Sequence, residues 1–250
     1  MAEKHFLEQK KFASSYLIPY FETYLPGFNN MTVLEIGCAE AGFIDELDHR
    51  GIKATGLELA EDRVAIAKRH NAKLKIYTGD ISDKKIVTTI GEQFDLIVMR
   101  DVIEHIENRD DTFNNIKKLL KNNGYLYITF PPKFSAFAGH QQNGISLIRF
   151  IPYFHLLPNK IIQLTGILFK ENKKIVSAII SNYRIGLTVH AFENYCRHTN
   201  FTFIKKELFL FRPIFQLRFN MKARKISGFP LIREFISLGC ECLLQNNTIT

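Results

Sequence analysis

The sequence has no long uninterrupted apolar run, and this absence excludes a membrane-spanning helix. Its most apolar stretch, residues 145–169, is interrupted by Arg149, Pro152, His155 and Lys160 before any run approaches the roughly 20 apolar residues that such a helix needs. The sequence also has no repeats and no low-complexity tracts. We therefore expect a chain without a transmembrane segment.

Cysteine is scarce, and acidic residues are fewer than basic ones. The four cysteines, Cys38, Cys196, Cys240 and Cys242, lack the paired C-x-x-C spacing of zinc sites, and residues 1–5 contain no apolar signal core. We therefore expect a cytoplasmic protein in a reducing compartment, with peripheral membrane contact as an open alternative. The net charge of +8 is compatible with nucleic acid, an acidic substrate or a membrane surface, and selects none of them.

The length of 250 residues and the apolar content of 46% suit one core domain with insertions better than two domains. The pattern divides the chain into four segments. We expect an N-terminal helical cap over 1–30, a cofactor-binding core over 31–130, a substrate-side insertion over 131–187, and a C-terminal completion of the sheet, with a basic loop, over 188–250.

Strand-like and helix-like patterns alternate from Met31 to Phe130, which predicts an α/β fold with a doubly wound, mostly parallel sheet. The predicted strands are Val33–Ile36, Lys53–Glu58, Leu74–Thr78, Phe94–Met99 and Tyr125–Phe130. The predicted helices are 42–49, 61–70, 83–90 and 110–121, the last ended by Gly124. Further strands are predicted over 201–210 and 238–244, with the basic segment 212–225 looped out between them as a solvated surface.

The run from Val33 to Gly42 predicts a turn built for a ligand. A β-branched apolar strand leads into small residues and then a helix, and glycine and alanine allow backbone amides to approach a ligand closely. Glu58 follows Gly37 by 21 residues at the end of a second strand, where its carboxylate could accept hydrogen bonds from two ribose hydroxyls. Together these features outline a nucleoside-cofactor site at the carboxyl ends of the strands.

These motifs resemble those of class I S-adenosylmethionine-dependent methyltransferases. Residues 33–42 resemble the E-x-G-x-G-x-G motif, with Ala39 and Ala41 where the family usually has glycine. Glu58 resembles the ribose-binding acid, 79–81 the adenine-contacting segment, and 94–106 the fourth strand and its loop.

The resemblance implies a Rossmann-like fold with a seven-stranded sheet, an N-terminal helical segment and an inserted helical or loop lid. It implies S-adenosylmethionine as cofactor, with the Gly37 turn facing its methionine part, Asp80 bonding the adenine amino group and Ile81 packing on the ring. Glu35 would stabilise the positive sulfonium. The implied cofactor-binding residues are Glu35, Gly37, Cys38, Ala39, Gly42, Glu58, Leu59, Asp80, Ile81 and Arg100.

A nicotinamide-binding oxidoreductase is the nearest alternative. Residues 37–42 also satisfy a G-x-A-x-x-G pattern, and Glu58 would serve its ribose equally well. Asp80 and the segment 101–106 favour the methyltransferase, because a dehydrogenase needs neither.

Asp101, Glu104 and His105 have two interpretations. Their spacing of three and four suits a divalent cation or acid/base chemistry, and the ubiquinone-biosynthesis O-methyltransferases, which this segment resembles, use a metal there. Asp-x-x-Glu is also the spacing of a capping box. We favour capping, with His105 as a candidate catalytic residue.

The substrate side carries His140, which we consider as a general base for an acceptor hydroxyl. The aromatic and aliphatic residues of the insertion predict a hydrophobic pocket or a membrane-touching lid, or else core or a dimer contact. The predicted function is O-methylation of a small-molecule, saccharide or lipid-linked acceptor by a monomer or homodimer. Alternatives are a catalytically silent cofactor-binding regulatory domain and, less favoured, an RNA methyltransferase.

Overall fold

The computed structural model of the chain describes residues 2–247, and the side chains of 3–230 and 232–247. Within these residues one mixed sheet contains eight strands. They are β1 (Val33–Ile36), β2 (Ala54–Glu58), β3 (Lys75–Thr78), β4 (Phe94–Arg100), β5 (Leu120–Phe130), β6 (Phe201–Phe211), β7 (Arg224–Lys225) and β8 (Gly239–Asn246).

Eleven α-helices flank this sheet within the described residues. They are α1 (Ala2–Phe12), α2 (Ile18–Tyr24), α3 (Gly42–His49), α4 (Glu61–His70), α5 (Ile86–Ile90), α6 (Arg109–Leu119), α7 (Asn159–Leu168), α8 (Lys173–Ile185), α9 (Val189–His198), α10 (Phe215–Phe219) and α11 (Pro230–Ile236). A π-helical turn, Ala13–Leu17, joins α1 to α2, so the predicted N-terminal helical segment is confirmed.

The strand order is β3-β2-β1-β4-β5-β8-β6-β7, and the pairs among β1 to β5 are parallel. β8 pairs antiparallel with both β5 and β6. The predicted doubly wound, mostly parallel fold is therefore confirmed. Seven of the strands were predicted, and the eighth, β7, is a two-residue edge strand inside the basic segment predicted to loop out. Two consecutive basic residues carry too little apolar pattern to signal a strand.

The predicted boundary between α6 and β5 is wrong. The sequence placed a helix up to Lys121 and a stop at Gly124, whereas α6 ends at Leu119 and β5 begins at Leu120. Leu120 is buried and pairs with Phe94, before a register shift in which Leu96 pairs with Tyr125. Strand pairing at this site outweighs the helical propensity of the local sequence.

Alternate residues of the strands build a core on each face of the sheet. Ile36, Ile97 and Ile128 face one side and pack with residues of α5, α6 and α9. Val33, Val98 and Tyr127 face the other, where α2 and α3 cover them. Both faces are thus covered, as a parallel sheet requires.

The predicted insertion contains α7 and α8 and a small core of its own, formed by Ile148, Phe154, Ile162 and Ile179. No helix within the described part of the chain has the length and apolar content to cross a membrane. The division into four segments stays a prediction, and its outermost residues, 1 and 248–250, lie outside the described residues.

Candidate active site

A cavity of about 790 Å³ lies at the carboxyl ends of β1, β2 and β4. This is the edge of the sheet where the sequence placed the ligand, and the volume is in the range of small-molecule sites. Seven of the ten predicted cofactor residues line it: Gly37, Ala39, Glu58, Leu59, Asp80, Ile81 and Arg100. Glu35, Cys38 and Gly42 are buried behind its wall.

The turn after β1 approaches neighbouring chain segments very closely. Gly37 has φ +72°, and a Cβ atom there would lie 2.3 Å from Cγ2 of Val102. Its N–H donates to the carbonyl oxygen of Leu57 over 2.7 Å, which ties the turn to the end of β2. Ala39 and Ala41 both adopt positive φ, so they hold a left-handed conformation that glycine would adopt without strain.

Glu58 holds this turn in place from the end of β2. Its Oε2 accepts from the Ala39 N–H over 2.8 Å, and its Oε1 accepts from the Ala60 N–H over 3.0 Å. Two backbone amides therefore fix the carboxylate at the cavity wall, so its orientation is set before any ligand binds.

Two apolar side chains and one acid form the far end of the cavity. Asp80 follows β3, and its Oδ1 accepts from both the N–H and the hydroxyl of Ser82 over 2.8 Å. Ile81 is buried, whereas Leu59 is 67% exposed although it is apolar. An exposed leucine beside a buried isoleucine gives the cavity apolar walls that suit a flat ring.

Glu35 forms a buried ion pair instead of meeting the cavity. Its Oε1 accepts from Arg100 over 2.5 Å. Burial raises the pKa of Glu35, although the Arg100 guanidinium acts in the opposite direction. The ion pair gives Arg100, which lines the cavity, a defined position, and the role of Glu35 at the sulfonium stays a prediction.

Helix α1 covers the turn after β1. The sequence predicted the helix but not this contact. The side-chain amide of Gln9 donates to the Cys38 carbonyl over 3.3 Å and accepts from the Gly42 N–H over 2.9 Å. A Cβ at Gly42 would lie 2.3 Å from the carbonyl oxygen of Phe6. His5 also contacts Glu40. The available signal was the spacing of four between His5 and Gln9, which places both on one face of a helix.

A second group of residues missed by the sequence lies at the opposite end of the cavity. Glu241 of β8 is buried there and accepts hydrogen bonds from the Tyr16 hydroxyl over 2.9 Å and the Tyr127 hydroxyl over 2.8 Å. Burial raises the pKa of Glu241 to about 7, against the two hydrogen bonds that lower it. Its signal was a glutamate between Cys240 and Cys242, in the middle of a predicted strand.

Asp101 is bound by a residue from the predicted basic loop. Its two carboxylate oxygens accept from Nη2 of Arg212 over 2.6 and 2.8 Å, and Oδ1 also accepts from the Thr129 hydroxyl over 3.1 Å. Burial opposes ionisation, but the Arg212 guanidinium outweighs it and lowers the pKa of Asp101. Arg212 is thus part of the cavity wall, not of a solvated surface.

Comparison with known proteins decides the family. A sequence model described as a methyltransferase domain matches residues 8–163. The chain belongs to this methyltransferase family. The family and cofactor class predicted from the sequence are thereby confirmed.

The chain matches its curated relatives over part of their length. The chain is 28% identical over 118 residues to the ubiquinone biosynthesis O-methyltransferase of Glaesserella parasuis. The aligned residues make up 45% of this chain and 50% of that protein. The corresponding enzyme of Bartonella tribocorum is 26% identical over 102 residues, with 40% and 41% covered. The chain thus spans about half the length of the curated relatives it matches, or less.

Solved structures confirm the fold. The plantazolicin methyltransferase BamL, solved in complex with a triazolic desmethylPZN analog and SAH, superimposes with a TM-score of 0.60 at 13% identity, covering 98% of this chain and 87% of that one. The PH0226 protein from Pyrococcus horikoshii gives 0.54 at 12% identity, covering 92% and 88%. At these identities the likeness concerns the fold alone.

The capping box expected at Asp101 and Glu104 of the methyltransferase is wrong. The 3-10 turn Ile103–His105 begins after Val102 without a side-chain cap, and Asp101 bonds Arg212 instead. Neither carboxylate oxygen of Glu104 has a hydrogen-bond partner among the described residues. Burial, and then Asp101, raise the pKa of Glu104.

The residues that could ligate a metal differ from the predicted set of Asp101, Glu104 and His105. Ligand atoms of Glu104, His105 and His140 lie within 4.8 Å of one another, and Asp101 is not in this group. One carboxylate and two imidazoles suit a zinc-type ion. A metal at this site stays a proposal, now with His140 in place of Asp101.

His140 is not placed to meet an acceptor. Its ring lies 4.8 Å from that of His105, which lines the cavity, whereas His140 does not. Burial, and then His105, lower the pKa of His140 to about 4. Its predicted role as general base is therefore unsupported, because the imidazole is a weak base off the cavity wall.

Proposed function

We propose that this chain transfers the methyl group of S-adenosylmethionine to an oxygen nucleophile on a small-molecule acceptor. The observation that carries the proposal is one cavity lined by residues from both sides of the centre of the sheet. Glu58, Asp80 and Ile81 come from β2 and the turn after β3, Tyr127 and Glu241 come from β5 and β8, and β1 and β4 separate these two pairs of strands. These two parts of the cavity are its first and its second end. A donor and an acceptor site joined in one cavity are what a group transfer needs.

The residues of the first end fit the cofactor. Gly37 leaves no room for a side chain, so backbone amides can face the methionine part of the ligand. Glu58, anchored through two amides, would accept from the ribose hydroxyls, and Leu59 and Ile81 would flank the adenine, with Asp80 at its amino group. When bound, the cofactor supplies an electrophilic methyl on a sulfonium.

At the second end Glu241 is placed to take the proton of an acceptor hydroxyl. Its pKa of about 7 makes it a base of suitable strength near neutral pH. The Tyr16 and Tyr127 hydroxyls hold the carboxylate in one orientation. In-line methyl transfer depends mainly on the alignment of donor and acceptor. A fixed carboxylate that binds the acceptor hydroxyl would both align the acceptor oxygen and take its proton.

The acceptor class is inferred from the curated relatives and from the second end of the cavity. The curated relatives are named as O-methyltransferases of ubiquinone biosynthesis, and the Glu241 end suits a hydroxyl. We propose a small, saccharide or lipid-linked metabolite, and we place RNA behind it because the sequence shows no RNA-recognition motif.

The test combines binding and turnover. Calorimetry with S-adenosylhomocysteine should show binding that Glu58→Ala weakens, because the ribose loses its acceptor. Labelled methyl donor incubated with metabolite and lipid extracts should yield a labelled product, with less from Glu241→Gln. Tight binding of a pyridine dinucleotide with no heat from S-adenosylhomocysteine would refute the proposal, and cofactor binding without any product would identify a silent binder.

A further inference from the structure

Helix α11 buries polar side chains and exposes apolar ones, which is the reverse of an ordinary surface helix. Its polar residues Arg233 and Glu234 are buried, and its apolar residues Ile232 and Phe235 are 56% and 44% exposed. Arg233 pairs with Glu193 over 2.7 Å, and Glu234 accepts from the N–H groups of Val189 and His190 at the start of α9. These bonds fix the polar face inward, so the apolar face has to point outward.

Helix α7 exposes a second apolar stripe. Ile161, Leu164, Ile167 and Leu168 recur at helical spacing, and the last three are 66%, 74% and 76% exposed. The stripe continues into the preceding loop through the exposed Phe150.

Helix α11 meets the segment that precedes α7 in the chain. The Tyr153 hydroxyl donates to the carbonyl oxygen of Phe235 over 3.1 Å, and the rings of Phe134 and Phe235 stack at 5.4 Å. Scattered exposed apolar residues need no explanation, but a contiguous surface of this kind marks an interaction site.

Within residues 145–185 the exposed charges all have one sign, and Glu107, from outside this segment, pairs with Arg184 over 2.5 Å. Between residues 145 and 185 the only acid is Glu171, which is buried and accepts from the Ser146 N–H and hydroxyl. The basic residues of the same segment are all exposed: Arg149, Lys160, Lys170, Lys173, Lys174 and Arg184. Lys160 lies one helical turn from Leu164, so at least one cation borders the stripe directly.

We propose that the apolar surface formed by α7, the loop before it and α11 docks on an anionic lipid bilayer, with the bordering lysines at the level of the headgroups. Apolar side chains in the acyl boundary and cations facing anionic lipid are the two parts of an interfacial membrane site. A symmetric pair of copies joined through the same surface would instead bring the cations of both copies together. The one-signed charge therefore favours lipid over a second copy.

The proposed docking surface is connected to the active site. Asn182 of α8 donates to the Gly139 carbonyl over 3.1 Å, next to His140, and Ile185 at the end of α8 lines the cavity. Docking would thus bring the part of the cavity lined by Ile185 close to the membrane. The docking proposal does not depend on methyl transfer, since lipid binding is measured without turnover.

Vesicle flotation tests the proposal with the full chain. Vesicles of phosphatidylcholine and phosphatidylglycerol in equal parts should bind the protein, and pure phosphatidylcholine vesicles should bind it several-fold more weakly. The double variant Leu164→Glu, Ile167→Glu should lower vesicle binding at least about tenfold. It removes two apolar side chains that would enter the bilayer, and it adds two negative charges that anionic lipid repels. The matched control is Leu7→Glu on α1, which is 57% exposed and outside the surface, and it should bind like the wild type.

A second variant separates charge from apolar contact. Lys173→Gln with Lys174→Gln should lower binding to anionic vesicles several-fold and leave binding to neutral vesicles unchanged. Equal binding of the wild type to both vesicle types, or no binding to either, would overturn the proposal. A dimer in sedimentation analysis that Leu164→Glu dissociates, without vesicle binding, would assign the surface to a second copy. Circular dichroism checks that each variant folds.

Discussion

Replacing Gly37 with alanine should weaken cofactor binding as well as the fold. The substitution has two separable costs. Positive φ in a residue with a Cβ costs about 1–2 kcal/mol, and the new Cβ would lie 2.3 Å from Cγ2 of Val102. Forcing an extra carbon into such a contact costs about 1–3 kcal/mol. The free energy of unfolding should therefore fall by about 2–5 kcal/mol.

The contact with Val102 also predicts the effect on binding. Any part of the overlap that the free protein relieves by moving the turn has to be restored in the bound state, so that part of the cost appears in the affinity and not in the stability. Isothermal titration with S-adenosylhomocysteine should then show a dissociation constant raised roughly 5- to 150-fold, which corresponds to about 1–3 kcal/mol.

Gly51 provides the matched control. It has φ +74°, but a Cβ there would meet no atom within 4 Å. Gly51→Ala should therefore lose about 1–2 kcal/mol of unfolding free energy and keep its affinity. Adding Val102→Ala to Gly37→Ala should recover most of the affinity, because Cγ2 is gone. Equal affinities for Gly37→Ala and Gly51→Ala would refute the argument that close packing of the turn positions the cofactor.

Three further predictions concern stability and ligation. Burial raises the pKa of Glu241 from 4.5 to about 7, so the folded protein holds this proton more tightly than the unfolded chain does. The free energy of unfolding of the wild type, measured with urea, should therefore fall as the pH rises between these two values. Glu241→Gln should not show this fall. Glu234→Ala should cost about 1–2 kcal/mol, measured by thermal unfolding, because two N–H groups at the start of α9 lose their acceptor. Zinc titrated calorimetrically should bind the wild type and not Glu104→Gln, and an absence of heat with the wild type would remove the metal site.

The cofactor half of the cavity could be predicted from the sequence because its determinants are local. Gly37 directly follows β1, and Glu58 and Asp80 lie at or just after the ends of β2 and β3, so strand periodicity and spacing place all three at one edge of the sheet. The end of α6 could not be placed, since the pairing of Leu120 with Phe94 is a contact between strands that local propensity does not encode.

The acceptor half depends on contacts between distant parts of the chain, which explains why the sequence missed it. Tyr16 and Glu241 are separated by 225 positions, and Asp101 and Arg212 by 111. The family match ends at residue 163, so both Arg212 and Glu241 lie beyond it. Under the proposed function, the residues of the shared motifs hold the methyl donor, whereas Arg212 and Glu241, which lie outside the family match, line the part of the cavity proposed for the acceptor. A change of acceptor is expected to follow from substitutions at Arg212 and Glu241 before any change at Glu58.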